Sequence, residues 1–374
     1  MPAETDKERS RFLTPQHLER TWGTESPRGQ LLIAACRSGA YLAEKVAHRY
    51  EVLLRQADAA REVTYLGEID FQFSDRESCV RLDADVNGHD VFLFQALHDP
   101  TAGRSVDEHY MAFLIAARAF REWGANYVTG VLPYLAYARQ DKPTKFQREP
   151  TTAELMADLS IEAGLDRLVV WDPHTDRVHG FYGSVPVDAL SPLALFVDVF
   201  RRFRGREDVI AVAPDAGATK FVMHLARTLD ISSAVALKYR PRPEEAVVSD
   251  ILGDFEGKHI ALVLDDMVNT GGTIVATVTK LVDAKGIEDV HLGISHNLCA
   301  DQALERLTEL HARTHLQTMT ITDSVPQTDD FRSLPFLTIR SLADALCRVI
   351  NRIHYNRSVN GILARPLVAE DSEA

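Results

Sequence analysis

The sequence predicts an α/β protein made of two successive halves, each a mostly parallel sheet flanked by helices. Three observations carry this. Apolar runs of strand length alternate with segments of helical spacing along the chain, the pattern of parallel strands joined by helical crossovers. Polar residues repeatedly stand just past the apolar runs, where open α/β sheets bind ligands. The 374 residues also exceed one ordinary core, so two domains of ~150–200 residues are expected.

Residues 1–30 mix Pro, Gly, Thr, Arg and Glu with little periodicity and predict a flexible or loosely docked arm. The first domain is placed at 31–186. Within it DVFLFQAL (Asp90–Leu97), NYVTGVLPYL (Asn126–Leu135) and RLVVWD (Arg167–Asp172) read as buried strands. Between the first two, VDEHYMAFLIAARAFREWG carries Met111, Leu114, Ile115 and Ala119 at helical spacing and stops at Gly124. SVPVDALSP collects turn residues, which sets the boundary near Pro186. The second domain, 187–362, repeats the alternation with VIAVAP (Val209–Pro214), AVALKY (Ala234–Tyr239), HIALVL (His259–Leu264) and DVHLGIS (Asp289–Ser295), helical segments being expected between them. The tail, 363–374, ends in AEDSEA and is expected to be disordered.

Hydrophobic residues make up 45% and charged residues 25%, a globular composition. With 41 Lys and Arg against 54 Asp and Glu, the net charge is −13. A general nucleic-acid partner, which needs a basic face, is excluded. An acidic protein that handles phosphates must place its cations locally or recruit metal ions. Cys36, Cys79, Cys299 and Cys347 form no CxxC pair, so neither a zinc site nor a disulfide framework is expected. No apolar run reaches the ~18–20 residues that span a bilayer, and the polar start MPAETDKERSRF is unlike a signal peptide. No membrane partner is expected, and the expected location is cytoplasmic.

The most informative stretch is LVLDDMVNTGGTI, Leu262–Ile274. Thr270, Gly271, Gly272 and Thr273 are placed at the start of a helix, where free N–H groups and the positive dipole end favour a phosphate. Asp265 and Asp266 have the wrong sign for phosphate but suit sugar hydroxyls, directly or through a divalent metal. The simpler alternative is a strand followed by a carboxylate-capped helix. His174 and Asp215 each follow a strand, where a structural histidine and a helix cap compete with any metal role. Lys238 and Arg240 in KYR read, alone, as a solvated loop. GDFEGKH (Gly253–His259) departs from a Walker A loop in its spacing and lacks the Ser or Thr after lysine, and no GxGxxG stands at a strand–helix junction.

The run Asp265-Asp266-x-x-Asn269-Thr270-Gly271-Gly272-Thr273 resembles the ribose-phosphate loop of the type I phosphoribosyltransferase fold. PYLAYARQD (Pro133–Asp141), FSDRE (Phe73–Glu77), DPHTDRVHGFYG (Asp172–Gly183), APDAG (Ala213–Gly217) and KYRPRP (Lys238–Pro243) narrow the resemblance to the ribose-phosphate pyrophosphokinase family, from about residue 31 to 362. That resemblance implies two tandem phosphoribosyltransferase-like domains and transfer of the β,γ-diphosphoryl group of MgATP to the C1 hydroxyl of ribose 5-phosphate. It implies that Lys238 and Arg240 act catalytically from a mobile loop. Phe73, Asp75, Glu77, Arg139, Gln140 and His174 would bind ATP, with the first three reaching across a subunit interface. Asp265, Asp266 and Asn269 to Thr273 would bind ribose 5-phosphate, and His174 and Asp215 would hold Mg²⁺. A homodimer assembling into a larger homo-oligomer, a hexamer, follows from the same resemblance.

The chain departs from the commonest family pattern at four places. Asn269 stands where Asp is usual, Arg76 where Gly is usual, Pro173 before His174 where an apolar residue is usual, and DAGATKFVM lacks the arginines that follow. The rival readings are a non-catalytic homologue that regulates synthetases by co-assembly, an ordinary phosphoribosyltransferase, and a binding module without chemistry. Retention of Lys238, Arg240, His174 and Asp215 argues against the first, and YARQD, FSDRE and DPH argue against the second.

Overall fold

The computed structural model describes residues 26–59, 63–242 and 245–363. It divides into two compact units: one holds the described residues up to Ser191 together with those from Leu342, the other Pro192–Ser341.

In the first unit β1 (Gln30–Ala35) leads to helix α1 (Ala40–Gln56) and the short β2 (Thr64–Leu66). A hairpin of β3 (Asp70–Gln72) and β4 (Ser78–Val80) precedes β5 (His89–Phe94), α2 (Val106–Glu122), β6 (Tyr127–Leu132), α3 (Thr152–Glu162), β7 (Arg167–Trp171) and β8 (Val187–Leu190). The sheet order is β2-β1-β5-β6-β7-β8, with all neighbours parallel. Strand order reverses between β1 and β5, the point at which such sheets open a crevice for ligands. The turn out of β1 depends on Gly39, where a Cβ would stand 2.5 Å from the carbonyl oxygen of Phe94. No larger residue fits without moving backbone.

Helix α2 forms where its spacing predicts, but it buries a different face. Tyr110, Phe113, Ala116, Ala117 and Phe120 are buried, while Met111 is 52% exposed and Leu114, Ile115 and Ala119 are only partly covered. Asp107, Glu108, Arg118, Arg121 and Glu122 fall on the same side as Met111 and Leu114, and those charges turn that side outward. The boundary also moves. The expected turn region after Pro186 contains β8, which pairs with β7 and keeps the first unit running to Ser191.

The second unit comprises α4 (Leu193–Val199), β9 (Val209–Ala213), α5 (Thr219–Leu229), β10 (Ser232–Arg242), β11 (Glu245–Leu252), β12 (Ile260–Val268), α6 (Gly272–Lys285), β13 (Asp289–Asn297), α7 (Asp301–Arg313), β14 (Leu316–Thr322) and β15 (Leu337–Arg340). The sheet order is β11-β10-β9-β12-β13-β14-β15. Among its described strands only the β10–β11 pair is antiparallel. Val212, Val263, Leu292 and Ile321 on the central strands are fully buried with Val278 and Leu281 of α6 and Leu307 of α7. A helix was expected between AVALKY and HIALVL; β11 stands there instead, because EAVVSDIL pairs back on β10 and closes a hairpin.

The sequence assigned residues up to 362 to the second domain, but helix α8 (Ala343–His354) belongs to the first unit. Leu346, Val349, Ile350 and Ile353 line its buried face. Its polar residues are equally committed: Asn351 donates to the Tyr50 hydroxyl at 2.8 Å, and Asp344 pairs with Arg49 at 2.6 Å. Nδ1 of His354 lies 2.8 Å from Asp90 Oδ2, while Arg28 holds Asp90 Oδ1 at 2.9 Å. The end of the expected N-terminal arm is therefore docked, since the Ser26 hydroxyl also donates to the His354 carbonyl at 2.8 Å. The rest of that arm, 1–25, and the tail from 364 lie outside the described residues.

Candidate active site

The carboxylate pair and the glycine loop lie in the second unit, at the carboxyl end of its central strand. The strand does not stop at Leu264 as expected. It runs on to Val268, so Asp265 and Asp266 are strand residues, with Asp265 opposite Ile294 of β13. Asn269 and Thr270 make the connection, and Gly271 is the N-cap of α6, at φ 76°. That left-handed backbone is open to glycine and strains other residues. Gly272 and Thr273 begin the helix, so its first-turn N–H groups follow the carboxyl end of β12.

Lys238 completes the cluster. Its Nζ donates to Thr273 Oγ1 at 2.7 Å and lies 3.6 Å from Asp215 Oδ2, with the side chain only 8% exposed. Lys238 was expected on a mobile loop. It lies inside β10, at a register irregularity between Leu237 and Lys238 opposite β11. Arg240 is on the same strand, and its side chain is outside the described residues, as are residues 243 and 244. Asp215 has a dual place. Oδ1 accepts from the N–H groups of Gly217 at 2.9 Å and Ala218 at 3.3 Å, so the carboxylate caps the turn into α5 while Oδ2 faces Lys238.

Burial, then the charges of Asp266 and Asp215, push the Asp265 carboxyl well above the ordinary carboxylate range. The cluster is thus short of positive charge even with Lys238 present. Arg306 of α7, which sequence reasoning missed, donates to the Thr270 carbonyl at 2.8 Å and fixes the loop from outside. A lone arginine in an amphipathic helix carries no signal that would have singled it out.

The remaining expected residues lie in the first unit, in two places. Phe73, Asp75 and Glu77 form the tip of the β3–β4 hairpin. The Phe73 N–H donates to the Glu77 carbonyl at 2.9 Å, and Asp75 Oδ1 accepts from the Glu77 N–H at 3.1 Å. Phe73 is 52% exposed and meets Phe71 edge to face, with ring centroids 5.4 Å apart.

Arg139 and Gln140 are exposed on the loop after β6, and His174 is exposed on the loop after β7. Asp141 joins these loops. It accepts from the Thr175 hydroxyl at 2.9 Å, pairs with Lys142 at 3.1 Å and lies 3.7 Å from Arg177, with its side chain 8% exposed. Burial works against its ionisation, but hydrogen bonds from Lys142 and Thr175 and the charges of Lys142 and Arg177 outweigh it, leaving its pKa below the ordinary value. Asp141 stands in the YARQD stretch, yet its neighbours gave no indication that it ties two loops.

Among the described residues no group of three His, Cys, Asp or Glu side chains converges as a metal cage. None of the helices there is long and apolar enough to cross a membrane. No disulfide links the four cysteines.

Comparison with known proteins agrees with the two-domain α/β architecture. The family model described as the N-terminal domain of ribose phosphate pyrophosphokinase matches residues 31–164, and the phosphoribosyl transferase domain matches 194–314. The ribose-phosphate pyrophosphokinase of Fusobacterium nucleatum is 33% identical over 85% of this chain and 93% of its own length. That of Aquifex aeolicus is 33% identical over 78% of this chain and 88% of its own length. The crystal structure of phosphoribosylpyrophosphate synthetase from Mycobacterium smegmatis superposes with a TM-score of 0.75 at 31% identity, covering 87% of this chain and 99% of that one. With both domains matched in order, and relatives aligned over nearly their whole length, the chain belongs to the ribose-phosphate pyrophosphokinase family.

Proposed function

We infer that this chain transfers the β,γ-diphosphoryl group of ATP to the C1 hydroxyl of ribose 5-phosphate, yielding AMP and 5-phosphoribosyl 1-pyrophosphate. The observation that carries it is the joining of Asp265 and Asp266, the Thr270–Thr273 helix start and Lys238 in one cluster. Ribose 5-phosphate is a diol at one end and a dianion at the other, and this cluster offers carboxylates to the first and N–H groups to the second.

Asp265 and Asp266 hold the ribose hydroxyls, and Asn269, Thr270, Gly271, Gly272 and Thr273 bind the 5-phosphate. The first unit supplies the ATP side: Phe73 stacks on adenine, Asp75 and Glu77 meet its polar edge, and Arg139, Gln140 and His174 face the polyphosphate. The C1 hydroxyl attacks the β-phosphorus, the bond from that phosphorus to the α–β bridging oxygen breaks, and AMP departs. Lys238 and Arg240 act on the charge that spreads over the transferring group, because phosphoryl transfer is mostly positioning and charge neutralisation.

The donor set fits Mg²⁺ bound together with the nucleotide. Octahedral Mg²⁺ takes one or two carboxylates and completes its shell with phosphate oxygens and water. Burial, then the charges of Asp266 and Asp215, raise the pKa of Asp265, and a divalent cation beside this cluster would offset those like charges. Asp215 and His174 are the residues proposed to hold it, and when bound it neutralises phosphate charge. The tip residues Phe73, Asp75 and Glu77 are proposed to serve the ATP site of a neighbouring copy in a homodimer that builds a larger homo-oligomer, and the location is proposed to be cytoplasmic.

Purified protein given MgATP should release AMP only when ribose 5-phosphate is present, with equal 5-phosphoribosyl 1-pyrophosphate. Absence of AMP across Mg²⁺ and phosphate concentrations would refute the catalytic reading. Asp141→Ala should lower kcat/KM for ATP by about tenfold to a hundredfold, because reacting groups misplaced by ~1 Å cost on that scale. KM for ribose 5-phosphate should hold, as steady-state titration of each substrate will show.

A further inference from the structure

The hairpin tip carries a side chain that the reaction does not call for. Arg76 lies at φ 73°. This is the left-handed region, open to glycine and strained for arginine. The hairpin's own turn sets this conformation, since the Arg76 N–H donates to the Phe73 carbonyl at 2.9 Å. The side chain then reaches outside the hairpin. Arg76 Nε and Nη2 both donate to Glu108 Oε1, at 3.0 and 2.7 Å. Gln72 Nε2 donates to the same oxygen at 3.1 Å and to the Arg76 carbonyl at 3.3 Å.

Glu108 is not a loose surface carboxylate. It is the third residue of α2 and forms a capping box with Ser105: its Oε2 accepts from the Ser105 N–H at 2.7 Å, and its own N–H donates to the Ser105 hydroxyl at 3.2 Å. The Ser105 backbone bond first, then the bonds from Gln72 and Ser105, with Arg76 adding to them, lower its pKa to about 2. An exposed ion pair ordinarily contributes little, because two mobile side chains must be ordered to form it. Here the acceptor is already ordered by helix capping, so the arginine meets a fixed target.

The hairpin base is held by Asp70, which pairs with Arg104 and accepts from the Arg37 N–H, both at 2.5 Å, so the Arg76 tether bears on the tip. The hairpin strands have three residues each, and among the described residues they pair with no other strand. Two short strands alone are marginal. We propose that Arg76 is a positioning residue: by gripping the α2 capping carboxylate it holds the Phe73–Glu77 tip in the geometry that receives the adenine of ATP. This rests on the nucleotide role given to that tip above.

The test uses the full chain and the variants Arg76→Gly, Glu108→Gln and their combination. Arg76→Gly relieves the backbone strain, so a purely conformational role for residue 76 predicts a hairpin at least as ordered as in the parent. The tether predicts the opposite. KM for ATP should rise about fivefold in Arg76→Gly, the scale of one coupled pair. KM for ribose 5-phosphate and kcat should stay within about twofold, since a tether that acts before chemistry affects ground-state and transition-state binding alike. The double variant should be no worse than the worse single one. Hydrogen exchange at the amides of Phe73, Arg76 and Glu77 should speed up about tenfold in the singles, a readout independent of turnover. Unchanged KM for ATP with unchanged exchange, in a protein that does make AMP, would overturn the tether and leave the proposed reaction standing. Faster exchange in a protein that binds no ATP would instead sink the nucleotide role and this inference with it.

Discussion

Replacing Lys238 with alanine should lower kcat by about a hundredfold to a thousandfold, the usual loss when one preorganised charge-stabilising donor is removed. KM for either substrate should change far less. On the proposed assignment the ground-state ligands have their own partners in the carboxylates and the helix start, whereas the lysine acts on charge that spreads during transfer. Its geometry supports this division. Nζ rests on Thr273 Oγ1 at 2.7 Å and near Asp215 at 3.6 Å, so the ammonium is stationed at the loop before any ligand arrives. Lys238→Arg should recover only part of the rate, because a planar fork cannot reproduce a compact point charge. Single-turnover AMP formation decides the matter. Near-parental turnover in a folded Lys238→Ala protein would remove the residue from the mechanism.

The second large effect is on stability. Asp90 is fully buried between Arg28 and His354, and Arg28 also lies over the Tyr127 ring at 3.9 Å. Asp90→Ala leaves a guanidinium buried without its carboxylate, a loss of about 3–5 kcal/mol. For a unit of this size that corresponds to a melting temperature lower by about 10 °C, at roughly 2–4 °C per kcal/mol. The exposed pair Arg313–Glu309 is the control. Its side chains are 73% and 64% exposed, so Arg313→Ala should stay within ~0.5 kcal/mol. Calorimetry on the two variants tests both statements, and equal melting temperatures would show that the buried network is not a stabilising core.

Much of the fold was legible because the apolar runs are distinct. DVFLFQAL, NYVTGVLPYL, RLVVWD and VIAVAP become β5, β6, β7 and β9 within three residues at either end. What escaped depended on information that a local pattern does not hold. In α2 the apolar spacing of Met111, Leu114 and Ile115 was weighed without the charged residues on the same side, so Met111 was assigned to a face that the fold leaves exposed. EAVVSDIL was missed as a strand because its partner, β10, is defined only by long-range pairing. The start of α6 was legible because TGGT after an acidic pair constrains backbone and charge together. Asp141 and Arg306 were not, since each acts through residues remote in sequence: Asp141 meets Thr175 and Arg306 meets Thr270. Lys238 was expected on a loop and lies in β10.

The return of α8 to the first unit bears on how the chain is made. Residues up to Ser191 emerge first, yet their unit also needs Leu342 onward, which follows only after the whole of Pro192–Ser341. At synthesis rates of roughly 5–20 residues per second the earlier part waits about ten to thirty seconds for its last helix. Throughout that interval Tyr50 lacks Asn351 and Asp90 lacks His354. The later-born unit is contiguous and has every strand of its sheet in hand first. Birth order and completion order are therefore reversed in this polypeptide, and the nascent amino-terminal core stays without its last helix until Leu342 onward has emerged.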